Sequence, residues 1–306
     1  MATHQETAAA PGGTAVLAGR PVARIGFGVM QLAEPVGGRP PVDPEVARTV
    51  LREAVEQGVN HIDTAQFYGA GVGNELIRSA LHPYPADLAL VSKVGAAHEP
   101  DGTLVPAQRP AELRAGVEAN LAALGIEQLA VVNLRRLDAP PGLVAAGDQR
   151  VDLDSQLAEL TALRDEGKIG GIGLSNVSTA QLCQALPARI ACVQNAYHVL
   201  DRSAEPVLDL CQEHGIAWVP FFPLGSAFPG LPKVTEHPAV VDAAASLRAT
   251  PAQVGLAWLL ARYERALVIA GTSDPAHLRE NVAAGALRLP PDILAALDRL
   301  APPHAA

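Results

Sequence analysis

Apolar residues along this chain fall into two alternating patterns. Short, nearly unbroken apolar runs are each followed by longer stretches in which apolar positions recur every three or four residues. The runs predict strands near 25–30, 59–64, 88–94, 129–135, 169–175, 190–195, 216–222 and 266–271. The amphipathic stretches predict helices over 43–57, 73–82, 110–124, 152–167, 178–186, 203–214, 238–248, 251–262 and 275–285. Eight strands, each followed by helix, predict an α/β fold of the closed parallel (β/α)8 barrel type, the TIM barrel. Ahead of them, Thr14–Leu17, a Gly-Arg turn at 19–20 and Val22–Arg24 predict a short N-terminal β-hairpin closing the barrel bottom. Residues 1–13 read as a frayed tail and 14–306 as one domain. Thr250 before Pro251, and Asp274 before Pro275, are cap and first-turn pairs for the last two of these helices. The longer irregular stretches, 31–42, 95–109, 136–151 and 223–237, all follow strands, on the face where such barrels carry chemistry.

Composition narrows the picture without changing it. With 306 residues, 49% of them hydrophobic, the chain can build one large core. The net charge of −9, with basic residues scattered, argues against nucleic acid and anionic membranes as partners. Cys183, Cys192 and Cys211 show no metal-like spacing and read as buried, reduced thiols. No apolar run approaches the roughly 20 residues needed to span a bilayer, and the start of the chain lacks the features of a signal peptide. The expectation is a soluble, cytoplasmic protein.

Chemistry concentrates at strand ends. An apolar strand runs into Asp63, Tyr68 follows on the loop, and the next strand carries Lys93, one of only three lysines, near its own end. On parallel neighbouring strands the three side chains converge. A buried ammonium beside a phenol stabilises phenolate and is expected to lower the tyrosine pKa from about 10, readying the hydroxyl to protonate a carbonyl oxygen. Asp63 would hold Lys93 charged and oriented. Taken singly, Asp63 reads equally as a strand-end hydrogen-bond partner, Tyr68 as a loop anchor and Lys93 as a snorkelling strand end. His61 reads as a satisfied core or supporting histidine, His98 as a loop residue at the surface or at substrate, and Trp218 and Trp258 as core.

Asp-x-x-x-x-Tyr followed by a strand-borne Lys, with Gly-Leu-Ser-Asn at 173–176 and Gln-Asn at 194–195, resembles the aldo-keto reductase superfamily from about Arg24 to Ala284. Within it, Gly-Val-Asn-His-Ile-Asp-Thr, Val-Val-Asn-Leu-Arg at 131–135, Val-Pro-Phe-Phe-Pro-Leu-Gly at 219–225 and the run at 271–281 resemble the bacterial pyridoxal reductase branch. The resemblance implies an NADPH cofactor, with NADH possible, and a small carbonyl substrate. It assigns the nicotinamide carboxamide to Ser175, Asn176 and Gln194, stacking on the nicotinamide to Phe221, and further cofactor contacts to Pro223, Leu224 and Gly225. It assigns the adenosine 2′-phosphate to the corner of Gly271, Thr272, Ser273 and His277, with Glu280 and Asn281 near adenine; Ser273 and His277 stand where many relatives carry positive charge, and Arg279 would compensate. Many members of the superfamily end the fourth strand in His; here Arg135 takes that slot, either to polarise the carbonyl or to bind an anionic or phenolic substrate group, unless it merely pairs with a loop acid. Asn133 faces the same side by strand alternation.

The leading expectation is an NADPH-dependent reductase converting an aldehyde or ketone to an alcohol, pyridoxal to pyridoxine by the closer resemblance, with Tyr68 as general acid. Carbonyl reduction of a natural product or sugar is the nearest alternative. A cofactor-binding regulatory subunit with weak turnover and a Schiff-base aldolase using Lys93 are readings from other classes.

Overall fold

The computed structural model describes residues 9–34, 40–139, 142–225 and 232–301. Most of the tail 1–13 and the end of the chain past 301 therefore lie outside the described residues, as do parts of the loops 31–42, 136–151 and 223–237. The chain opens with an antiparallel pair, β1 (Thr14–Leu17) and β2 (Arg20–Ala23). Seven strands then form one parallel sheet: β3 (Phe27–Gly28), β4 (His61–Asp63), β5 (Ala89–Val94), β8 (Val131–Arg135), β9 (Ile172–Ser175), β10 (Ile190–Gln194) and β11 (Ala217–Trp218). A second antiparallel pair, β6 (Ala96–His98) with β7 (Leu104–Pro106), stands in the loop after β5.

The sheet is built by its alternation. Ile62, Leu90, Val132, Leu134, Ile172, Leu174 and Val193 face outward and pack with helix residues such as Leu51, Ile77, Leu113, Val117, Leu160 and Leu182 in one continuous apolar layer. Fully burying a side chain of this size contributes about 1.5–3 kcal/mol. The alternate positions, Ala89, Val91, Val131, Cys192, Ala217 and Val219, form a second cluster together with Leu17 and Val22 of the hairpin. On β5, β8 and β10 apolar residues thus occupy the start of the strand on the inner side, and polar ones its end.

The eighth strand expected at 266–271 forms no ladder. Ala266 bridges Trp218 and Val268 bridges Ile25, both parallel, so this segment joins the two edges of the sheet by one isolated bridge each. The amide of Gly26 donates to the Val268 carbonyl at 2.7 Å, and that of Val268 to the Arg24 carbonyl at 2.8 Å. Close backbone approach accompanies the loss of regular pairing: a Cβ on Gly271 would lie 2.1 Å from the Gly28 carbonyl oxygen. The first strand is also shorter than 25–30, because Met30–Ala33 turns helical directly after it.

The helices follow the sequence pattern closely, from Pro44–Glu56 to Pro275–Ala283. Thr250 and Asp274 cap as expected, accepting from the amides of Gln253 and Ala276. Helix Pro291–Asp298 was not anticipated. Of the cysteines, Cys192 and Cys211 are buried and free, whereas Cys183 is exposed, a correction to the reading of three buried thiols. The tail is ordered from Pro11 at least: Pro11 is buried, and the carbonyls of Pro11 and Gly13 accept from the amides of Ile25 and Arg24. No helix among the described residues is long and apolar enough to cross a membrane.

Candidate active site

Register places the candidate residues. Asp63 ends β4 opposite Val91, so Lys93, two positions farther along β5, projects on the same face above it. The Lys93 ammonium donates to Asp63 Oδ1 and, at 3.2 Å, to the Thr64 carbonyl. Gln194, at the end of β10, donates through Nε2 to Asp63 Oδ2 at 2.7 Å. Both carboxylate oxygens are therefore engaged, and Asp63, Lys93 and Gln194 are all buried.

Tyr68 opens a short 3-10 turn, Tyr68–Gly71, and its ring lies 5.0 Å from Lys93 Nζ. Burial pushes the phenol above its usual value of 10, and the Lys93 charge pulling the other way does not overcome it. This corrects the expectation of a lowered pKa. Burial also opposes the Lys93 ammonium, but Asp63 and the Tyr68 oxygen outweigh it and hold the group above its ordinary value. At neutral pH the phenol keeps its proton and the amine its charge. Lys93 can then act on negative charge as it develops on the oxygen rather than by ionising the resting phenol.

Arg135, the last residue of β8, lies with its guanidinium 5.6 Å from the centre of the Phe67 ring. No carboxylate among the described residues pairs with it, whereas neighbouring Arg136 is bound by Asp138 at 2.6 Å. Pairing with a loop acid thus describes Arg136 and not Arg135. Glu34 reaches the same rim, accepting from the Gly69 amide at 3.4 Å; burial raises its pKa against the opposing charges of His98 and Arg135. His98 sets one ring nitrogen 2.9 Å from the Phe67 carbonyl and the other 2.8 Å from that of Gly102. It fastens the loop that carries Tyr68 to the β6–β7 pair.

On the cofactor side, Ser175 is buried at the end of β9, paired with Gln194. Asn176 adopts φ +60° and gives its side-chain amide to the Arg136 carbonyl at 3.2 Å. Asp63 accepts from the Gln194 amide nitrogen, which leaves Oε1 as a buried acceptor without a partner among the described residues. Phe221 meets Phe222 edge-on at 5.1 Å. Pro223 bridges Gly225, and the Leu224 carbonyl accepts from Val234.

The corner at 271–281, expected to take the adenosine end, is already partly occupied by the chain itself. Thr272 Oγ1 accepts from the Asp274 amide, and Asp274 Oδ1 from Ala276 at 2.7 Å, so a carboxylate sits at the helix start expected to receive phosphate. Arg279 is tied to Glu53 at 2.6 Å, and His277 is exposed, 4.0 Å from Asp274. Ser273 and Glu280 are half-buried and Asn281 is buried. Strand ends therefore bring Asp63, Tyr68, Lys93, Gln194 and Arg135 into one site, and the 271–281 group stands across the Gly28–Gly271 seam.

His61 departs from its expected place as a satisfied histidine. It is fully buried two residues before Asp63, and neither ring nitrogen has a hydrogen-bond partner among the described residues. Burial, only partly offset by Asp63, lowers its pKa to about 4. In the unfolded chain the imidazole protonates near pH 6.5; in the fold it stays neutral until about 4. Stability present above pH 6.5 is therefore lost as pH falls towards 4, by on the order of 3 kcal/mol. A His61→Leu variant should show a correspondingly flatter stability profile in urea titrations across this window. Parallel profiles for the two proteins would refute the assignment.

Residues that sequence reasoning did not single out include Glu34 and a set of buried polar side chains behind the site, Thr64, Asn74, Ser92 and Asn120. The available signal was their polarity on otherwise apolar faces: Asn74 and Asn120 stand at core-facing positions of helices Val72–Leu81 and Pro110–Leu124.

The chain is 46% identical to pyridoxine 4-dehydrogenase of Escherichia coli K12 over 93% of its own length and 97% of that protein's. It is 25% identical to the NADH-specific methylglyoxal reductase of the same organism, over 86% and 90% of the two chains. A solved aldo/keto reductase from Klebsiella pneumoniae, in complex with NADP and acetate, superposes with a TM-score of 0.75 at 28% identity, covering 94% of each chain. The sequence profile of the Aldo/keto reductase family matches residues 24–302, and the chain belongs to that family of oxidoreductases acting on carbonyl and alcohol groups.

Proposed function

We propose that this protein is an NADPH-dependent pyridoxal reductase of the cytoplasm, converting the aldehyde to the primary alcohol of pyridoxine at the Asp63–Lys93–Tyr68 site. The observation that carries the reading is the protonated phenol beside a buried ammonium, with both oxygens of Asp63 held. The unpartnered Gln194 Oε1 suits the amino group of a nicotinamide carboxamide, and Ser175 and Asn176 flank it on β9 and the turn beyond. When bound, the reduced nicotinamide supplies the hydride. Phe221, Pro223, Leu224 and Gly225 would line the ring's other side, and Gly271, Thr272, Ser273, His277, Arg279, Glu280 and Asn281 the adenosine end. In this reading β1 and β2 form the barrel floor, opposite the site.

Tyr68 gives its proton to the aldehyde oxygen as negative charge develops there. Lys93 stabilises the phenolate left behind, and Asp63 keeps the ammonium in place. Arg135, without a carboxylate partner, faces the phenolic oxygen of a 3-hydroxypyridine, which deprotonates readily and matches a guanidinium. This favours pyridoxal over an uncharged sugar or ketone.

The test is NADPH consumption with pyridoxal, beside NADH and a panel of uncharged aromatic aldehydes. Rapid oxidation with pyridoxal is expected, and Arg135→Leu should raise KM for pyridoxal about tenfold or more while leaving benzaldehyde-type substrates within about twofold, the scale of one lost charge-assisted contact. Turnover of other aldehydes without pyridoxal would discard the vitamin substrate. Tight NADPH binding without any oxidation would favour a regulatory role.

A further inference from the structure

Behind the ends of the two strands that carry Asp63 and Lys93, the otherwise apolar layer between sheet and helices holds a polar patch. Thr64 follows Asp63 and Ser92 precedes Lys93, so both point away from the barrel interior. The equivalent outward positions on the neighbouring strands are Val132, Leu134, Ile172, Leu174 and Val193. Thr64, Ser92, Asn74 and Asn120 are each fully buried. Thr64 Oγ1 donates to Asn74 Oδ1 at 2.9 Å, and Asn74 Nδ2 donates to Asn120 Oδ1 at 2.9 Å and to Gln66 Oε1 at 2.6 Å. Ser92 Oγ also donates to Asn120 Oδ1, at 2.5 Å, and Asn120 Nδ2 to the Gly116 carbonyl at 2.8 Å. Each donor group reaches at least one acceptor, and the directions agree throughout.

The chain touches the site at three points. Thr64 offers its carbonyl to Lys93 Nζ. Gln66 lies on the loop leading to Tyr68. Gly73, beside Asn74, comes so close that a Cβ there would stand 3.2 Å from Thr64 Oγ1 and 3.5 Å from Tyr68 Cβ. Four fully buried polar side chains are an expensive way to fill this layer, since apolar residues of the same shape would hold it at least as well. What they add is a fixed geometry, because a fully satisfied network admits one arrangement where a packed apolar layer admits several.

We propose that Asn74 and Asn120 are positioning residues, joining the Asp63 strand, the Lys93 strand and the Tyr68 loop through two helices so that ammonium and phenol keep their separation during proton transfer. This rests on the reductase reading for its effect on turnover, though not for its effect on Lys93.

The experiment compares wild type, Asn120→Leu and a combined Thr64→Val, Asn74→Leu, Ser92→Ala, Asn120→Leu protein whose layer is wholly apolar. In Asn120→Leu, kcat for pyridoxal should fall about ten- to a hundredfold, the scale of a sub-ångström to ångström misplacement, with KM and NADPH affinity within about twofold. Exchange of the Lys93 ammonium protons, followed by heteronuclear NMR and identified by its loss in Lys93→Met, should quicken. The combined protein should regain the wild-type melting temperature without regaining kcat or slow exchange. The proposal is overturned if kcat falls only with the folded fraction, or if the apolar layer restores kcat and slow exchange along with stability. Should wild type oxidise NADPH with no carbonyl, the proposed function fails and the ammonium exchange alone decides this one.

Discussion

Replacing Tyr68 with Phe lowers kcat/KM for carbonyl reduction by about 10²–10⁴, the contribution general acids make when correctly placed. The substitution removes one oxygen and leaves the ring, so the edge-on contact with Phe67 at 5.3 Å and the approach of Lys93 to the ring both survive. Folding and NADPH affinity should change little, because the Lys93 ammonium, which meets that hydroxyl, keeps its bonds to Asp63 and to the Thr64 carbonyl. Stopped-flow traces would locate the loss in the chemical step, as a fall in kcat with KM nearly constant. Wild-type rates in Tyr68→Phe would remove the phenol from the reaction and turn attention to Arg135 as the proton source or electrophile.

Lys93→Met produces the larger loss of stability. Among the described residues the ammonium is the one cation bonded to Asp63, and its removal leaves a buried carboxylate with the Gln194 amide as its remaining side-chain partner. Breaking a buried pair in this way costs about 3–5 kcal/mol. For a chain of this size each kcal/mol shifts the melting temperature by about 2–4 °C, so a fall of roughly 6–20 °C is expected. The double variant Asp63→Asn, Lys93→Met should recover most of that fall, since a neutral amide needs no counter-charge, while remaining inactive. Separate recovery of stability and activity identifies the pair as machinery maintained for chemistry. A single Lys93→Met protein as stable as wild type would mean that Asp63 finds another partner.

Helix boundaries were legible because apolar spacing and proline caps act locally: Pro110–Leu124 and Pro251–Arg262 match the sequence reading at both ends. Helix Pro291–Asp298 carried the same signals, a first-turn proline and apolar spacing at Ile293, Leu294 and Leu297, and was overlooked. Strand lengths were less legible, since ladder pairing depends on a neighbour's path: the apolar run at 266–271 looks like any other and yet meets its neighbours only at single residues. The β6–β7 pair was hidden because Ala96–His98 and Leu104–Pro106 are too short to show a period. At the site, the convergence of Asp63, Tyr68 and Lys93 could be read because strand ends share one face. The Glu53 contact that engages Arg279, 226 residues away in the chain, could not, and neither could the direction of the Tyr68 shift, which depends on how much solvent the fold removes.

The seam between the first and last barrel segments also sets an order in time. Arg24 binds the Ala266 carbonyl across 242 residues of chain. At about 5–20 residues per second of synthesis, its partner emerges roughly 10–50 s later. For that interval the nascent first segment has one edge unpaired, whereas Gln194 follows Asp63 by only 131 residues, so the carboxylate site has all its parts before the ring can close.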